Sequence, residues 1–269
     1  MNAYFENIGD GRFLPTKHTQ GPWSADYQHF GPPGALLARE IERCAAGDGD
    51  EQGGGGPALA LGRIGYDILG PIPLRPLTVR AWVERPGRRV RLVRGELSEA
   101  GRPLVSAAAW AVLPAPDDVP VAGAQRLPPA GPPGPDDVAA SAPSDWTCGF
   151  LDSVEWHFAR GSYGRPGPAA VWLRPRVPLL DGEPMSPVQR TVLSVDSANG
   201  ISAELDIRAW GFVPPELTVH LLRPPVGEWL CLDAETSLGP GFPGLTTSTL
   251  FDAAGPVARS AQTLLVHHR

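Results

Sequence analysis

Two polar residues stand where the surrounding pattern calls for apolar ones. Val188, Val192 and Val195 mark one stripe of a helix expected over 187–199, and Asp196 stands at its edge. A carboxylate there is partly desolvated, which raises its basicity and suits a general base; a surface Asp near a helix end is the bland alternative. In the last strand, Ala258, Ser260, Gln262, Leu264 and Val266 share one face. A buried amide at Gln262 needs partners, either backbone or a held water or substrate carbonyl. Thr218 and His220 lie together on one face of a strand starting near Glu216 and are further candidates for the same site. His29 precedes Phe30-Gly31-Pro32-Pro33 at a helix entry, where the Gly31 region can offer backbone N–H groups to a carbonyl oxygen or oxyanion. His29 equally suits a structural cap of that loop. Arg88, within the run Arg85, Arg88, Arg89, Arg91 and Arg94, could meet phosphates, although a solvated strand face explains such a run as well.

The elements positioning these residues repeat along the chain. At one constant offset, Pro86-Gly87 falls on Pro240-Gly241, Ala100-Gly101 on Ala254-Gly255, and Ser106 to Val112 on Ser260 to Val266. That offset places Gln262 on Ala108, and Leu264 and Val266 on Trp110 and Val112 of an inner face. The first copy reads as a strand region near 2–17, a helix near 33–46, and strands near 58–69, 77–85, 89–98 and 103–113. The second reads as strands near 153–161 and 169–177, a helix over 187–199, and strands near 216–223, 228–238, 244–252 and 256–267. Ser186 suits its helix N-cap, Pro187 the first turn and Gly200 the stop. Residues 115–145, rich in Pro, Ala, Gly and Asp, read as a linker. The expected organisation is therefore a domain over 1–114, a linker, and a domain over 146–269, each an α+β layer with an antiparallel sheet wrapped round a helix.

Composition narrows the function. Hydrophobic residues at 42% and charged residues at 19% describe a globular protein with substantial cores. A net charge of −6 argues against a nucleic-acid binder. Cys44, Cys148 and Cys231 show no metal or CxxC spacing, so free thiols in a cytoplasmic, reducing setting are expected, with no metal and no cofactor. No leader-like or membrane-spanning apolar run is evident. A G-x-S-x-G elbow is absent, which removes a serine hydrolase of the α/β-hydrolase type.

The chain resembles the acyl-CoA thioesterase II family and its thioesterase-like relatives, which are double hot-dog proteins. The resemblance rests on Asp10-Gly11-Arg12-Phe13-Leu14-Pro15-Thr16, Gly21-Pro22-Trp23, Gln28-His29-Phe30-Gly31-Pro32-Pro33-Gly34, Val195-Asp196-Ser197-Ala198-Asn199-Gly200, Leu217 to Pro225, and Arg259-Ser260-Ala261-Gln262-Thr263. It implies hydrolysis of a fatty acyl-CoA to free acid and CoA through an Asp, a Gln and a Thr or Ser. Asp196 and Gln262 match the first two. Pro214 stands where the hydroxyl belongs, with Thr218 the nearest replacement, and Phe30 replaces a usual glycine after the histidine. A hot-dog hydratase or dehydratase and a non-catalytic acyl-thioester binder are the rival readings. Acyl-chain type stays open at this level, and a fused pair of this kind can associate further into a homo-oligomer.

Overall fold

The computed structural model describes residues 2–47, 58–120, 122, 126–142 and 146–269, so positions 121, 123–125 and 143–145 of the expected linker lie outside the described residues. The first half contains β1 (Phe5–Gly9), β2 (Arg12–Pro15), α1 (Gly31–Ala46), β3 (Ala60–Ile68), β4 (Leu77–Arg85), β5 (Val90–Glu99) and β6 (Arg102–Val112). The second contains α2 (Gly149–Asp152), β7 (Val154–Arg160), β8 (Ala169–Pro175), α3 (Pro187–Val195), α4 (Ala198–Ile201), β9 (Trp210–Val213), β10 (Glu216–Leu221), β11 (Leu230–Ser237), β12 (Gly244–Asp252) and β13 (Gly255–His268). The short elements α2 and β9 have no counterpart in the sequence reading.

One antiparallel sheet runs in the order β1-β2-β4-β5-β6-β3-β10-β13-β12-β11-β8-β7, with β9 pairing separately to the far end of β13. The order is a mirror about the β3–β10 pair: β4, β5 and β6 occupy the places of β11, β12 and β13. Across that seam Ile64 opposes Val219 and Tyr66 opposes Leu217, all four buried. A single apolar core extends through both halves, including Leu37, Ile64, Leu193 and Val219. The described linker residues are tied to the second half, where Trp172 Nε1 donates to the Ala130 carbonyl and the Ala140 amide to the Trp156 carbonyl.

Local chemistry sets the helix ends. Ser186 caps α3 in a reciprocal box, its Oγ accepting from the Gln189 amide while Gln189 Oε1 accepts from the Ser186 amide. Gly47 closes α1 in the left-handed conformation that favours glycine. The second helix is shorter than expected. It ends at Val195, with Asp196 as its C-cap, and the segment up to Gly200 joins the separate turn α4.

Pairing also corrects the alignment of the two halves. In the first hairpin Glu99 opposes Arg102, Ser98 opposes Pro103, and an irregularity brings Leu97 opposite Val105. In the second, Asp252 opposes Gly255, Phe251 opposes Pro256, and Leu250 opposes Ala258. Gly255 therefore corresponds to Arg102, and Gln262 to Ala109 rather than Ala108. Ala107, Ala109 and Ala111 face the core while Trp110 turns to the other face, because a one-residue slip along a strand exchanges its faces.

α1 and α3 pack against each other, and polar contacts hold both ends of the pair. At the α3 start, Arg39 forks onto Glu183 at 2.6 and 2.7 Å, and Glu42 accepts from Ser186 Oγ and Gln189 Nε2. Burial raises the Glu42 carboxyl above its ordinary value, against the lowering effect of those donors. At the other end the backbones nearly touch: a Cβ on Gly31 would lie 2.5 Å from the Leu193 carbonyl oxygen. Gly31→Ala is expected to cost about 1–3 kcal/mol in urea unfolding, because the helices must separate. A loss near zero would show that the crossing tolerates a side chain.

A second clamp fixes the loop after β10. Arg223 forks onto the buried Asp252 at 2.5 and 2.6 Å, and Asp252 also accepts from the amides of Val226, Ala254 and Gly255. Burial alone would raise the Asp252 carboxyl, but Arg223 and these amides outweigh it and hold the group at about 2. A depressed folded value means that this stability is present above the unfolded value near 3.8 and lost as pH falls from there towards 2. Arg223→Met, which leaves Asp252 buried without its partner, is expected to cost about 3 kcal/mol at neutral pH in thermal unfolding. The variant should also lose less than the parent between pH 4 and 2; parallel pH profiles would contradict the clamp.

Candidate active site

The α1–α3 crossing brings together residues far apart in the chain. Asp196, 5% exposed, leaves the end of α3 and points at the start of α1. Its Oδ2 lies 3.1 Å from the Gly31 amide and 3.0 Å from His29 Nδ1, and its Oδ1 accepts from Gln262 Nε2 at 3.2 Å. The Gly31 amide is also 3.1 Å from His29 Nδ1. With the proton on Nδ1, both groups donate to the carboxylate and no lone pairs oppose each other, so this tautomer fits the geometry. The C-terminal end of α3 disfavours a negative charge, but the N-terminus of the 16-residue α1 faces the same carboxylate and favours it.

His29 is held from behind. Phe150 stacks on the imidazole with centroids 3.8 Å apart and an interplanar angle of 11°. Phe150 reaches this position because α2 seats against the Lys17–Thr19 turn, with its amide donating to the Gln20 carbonyl. A Cβ at Gly149 would meet the Lys17 carbonyl oxygen, so only glycine fits that approach.

The helix entry supplies fewer donors than the sequence suggests. The Gly31 amide is committed to Asp196, Pro32 and Pro33 have no N–H, and the Gly34 amide bonds the Phe30 carbonyl. Among the described residues the Phe30 amide meets no acceptor, and Phe30 lines the adjacent cavity.

That cavity, of about 450 Å³, lies between the two halves and is mostly apolar. Asp196 and His29 are the only acidic, basic or imidazole side chains lining it among the described residues. Two polar atoms are buried without partners among the described residues: Ser197 Oγ, on the residue after Asp196, and Gln262 Oε1, on the amide whose Nε2 bonds Asp196. Ser197 lines the cavity, as do Pro214 and Asn199, whose amide donates to the Phe212 carbonyl.

The structure thus brings together Asp196, Gln262, His29 and Gly31. It does not bring Thr218, His220 or Arg88 to them. Thr218 opposes Ala261 across β10 and β13, which puts it on the face away from Gln262, and its hydroxyl turns towards Glu216. His220 shares that outer face and is exposed. Arg88 is exposed in the β4–β5 connection and does not line the cavity; within the same run Arg94 pairs with Glu84 across the strands. The inner position opposite Gln262 on β10 carries Leu217, which offers no hydroxyl. Sequence reasoning does not single out Ser197, although its place directly after Asp196 is a usable signal.

Comparison with known proteins identifies the family and the fold. The family model of the acyl-CoA thioesterase N-terminal domain matches residues 19–112, and that of the acyl-CoA thioesterase C-terminal domain matches residues 126–266. A search of curated proteins found no match. Among solved structures, a putative thioesterase II from Thermobifida fusca is 21% identical, with 98% of this chain and 95% of that chain covered and a TM-score of 0.71. A conserved protein with a hot-dog fold from Alicyclobacillus acidocaldarius is 13% identical over the same shares, also with a TM-score of 0.71. An acyl-CoA thioesterase II from Mycobacterium marinum is 15% identical, with 98% and 95% covered and a TM-score of 0.63. At these identities the structural likeness speaks to the fold, which is of the hot-dog type, while the matched models speak to the family. No helix among the described residues is long and apolar enough to cross a membrane. The chain belongs to the acyl-CoA thioesterase family and is a thioester hydrolase.

Proposed function

We propose that the chain hydrolyses an acyl-CoA thioester with a water activated by Asp196 and Gln262, inside a double hot-dog. In this reading residues 1–114 and 146–269 are the two hot-dog copies, joined by the linker 115–145. The mirrored strand order about β3 and β10 supports it. The free thiols of Cys148 and Cys231 fit a reducing, cytoplasmic setting.

One observation carries the mechanism: a buried carboxylate is fixed by three donors, and Gln262, one of them, keeps its Oε1 buried without a partner among the described residues. Such an atom is costly to leave unmet, by roughly 1–3 kcal/mol, so a water there gains strong partners. The water donates one hydrogen to Asp196 and can donate the other to Gln262 Oε1. Asp196 takes the proton as the water oxygen attacks the thioester carbon. The carbonyl oxygen gains negative charge and is met by the Phe30 amide at the α1 entry. Collapse then breaks the C–S bond and releases CoA, whose thiolate takes the proton that Asp196 gained, which restores the carboxylate. His29 acts as a positioning residue, since its Nδ1–H holds Asp196 while Phe150 holds the ring.

Thiol release from an acyl-CoA panel tests this reading. Asp196→Asn should lower kcat by about 10²–10⁴-fold, the usual contribution of a general base, with little change in thermal stability. Thr218→Ala and His220→Ala should remain within about twofold of the parent, because both face away from the carboxylate. Unchanged turnover in Asp196→Asn would remove Asp196 as the base. Binding without any thiol release by the parent would favour a non-catalytic binder.

A further inference from the structure

Buried polar atoms without partners are concentrated around this cavity. Among the described residues they belong to Gln28, Arg91, Tyr163, Ser197 and Gln262; of these, Gln28, Tyr163 and Ser197 line the cavity and Gln262 bonds Asp196 beside it. Gln262 Oε1 is accounted for by the attacking water, and Ser197 directly follows Asp196. Tyr163 has no such role.

Tyr163 follows β7, on the wall formed by the second half. Its ring meets Trp146, Trp156 and Phe158 edge-on, with centroids 6.4, 6.1 and 4.9 Å away and interplanar angles of 71–77°. Trp146 and Trp156 line the cavity with it. Trp156 in turn packs edge-on against Phe150, the ring that stacks on His29. A continuous aromatic wall therefore leads from the reacting end to Tyr163. Edge-on rings offer faces and edges that suit a flat ring better than a flexible alkyl chain. Within that wall the Tyr163 hydroxyl is a buried donor and acceptor with no partner among the described residues. Burial pushes its ionisation far above the ordinary range, so it remains a neutral hydroxyl at physiological pH.

We propose that Tyr163 Oη recognises a hydrogen-bonding oxygen on an aromatic acyl group, so that the favoured substrates are oxygen-substituted arylacyl thioesters rather than linear alkyl ones. This rests on the reading of the same cavity as a thioesterase site. Sites that hydrogen-bond a substrate hydroxyl discriminate strongly against analogues lacking it, because their own polar group is then left unmet.

The test compares 4-hydroxyphenylacetyl-CoA, phenylacetyl-CoA and octanoyl-CoA with the parent chain and Tyr163→Phe. The parent should show kcat/KM about tenfold or more higher for the hydroxylated ring than for the plain ring, and higher for either ring than for octanoyl. Tyr163→Phe should lose that tenfold advantage, its loss falling mainly on the hydroxylated ring, and keep or raise the thermal midpoint, since it deletes an unmet hydroxyl. A preference for octanoyl, an equal loss on all three substrates, or a midpoint several degrees lower would overturn the proposal. Tryptophan fluorescence with free 4-hydroxyphenylacetate separates recognition from turnover. If the parent hydrolyses nothing yet binds this acid, and Tyr163→Phe does not, recognition stands and the hydrolytic reading falls. No binding by the parent overturns the recognition itself.

Discussion

The antiparallel packing of α1 on α3 is the constraint from which the site follows. Two helices can approach so closely only where one presents glycine to the other's carbonyl, and Gly31 does so against Leu193. The same approach delivers the Gly31 amide and His29 to a carboxylate that the end of α3 would otherwise hold in an unfavourable field. Arg39, Glu42, Glu183 and the Ser186 cap fix the opposite end, so the crossing is pinned at two places. Both halves are needed for this arrangement: the carboxylate comes from the second, and the groups that orient it come mainly from the first.

Pairing through β3 and β10 makes the crossing possible. The seam merges two sheets into one and lets both helices lie on the same concave face, over a single core. Within this nearly symmetric frame the copies differ in the site. Ala109 occupies in β6 the place that Gln262 occupies in β13, and the first copy therefore lacks the amide that contacts Asp196. Phe212 and Val213 of β9 and the Pro214-Pro215 segment line the cavity together with Ile68 and Leu69 of the first half.

Much of the fold could be read from the residues because its signals are local. Ser186-Pro187 marks a helix start, Ala100-Gly101 a tight turn with both residues at positive φ, and alternating strands mark the hairpins. Four-residue β9 could not be read in this way, lying between irregular chain and two prolines. The matching of the copies slipped by one residue because the turn at Ala253-Ala254, fixed by Asp252, is placed one position earlier than sequence identity suggests. Asp196 and Gln262 were visible as polar residues in apolar patterns. Thr218 was misplaced for a different reason: facing was inferred within its own strand, whereas the neighbour across the sheet decides which side reaches the helix. Phe150 and Tyr163 carried no sequence signal, since their partners come from distant segments.

The oxygen that ends up in the product bears most directly on the role of Asp196. In a single turnover of an acyl-CoA in ¹⁸O-water, attack by a water that Asp196 deprotonates puts the label in the released acid and none in the protein. Label in the Asp196 carboxylate after that turnover, detected by mass spectrometry of the peptide containing it, would mean that the carboxylate itself attacks the thioester, and would contradict the water-activating role given to it.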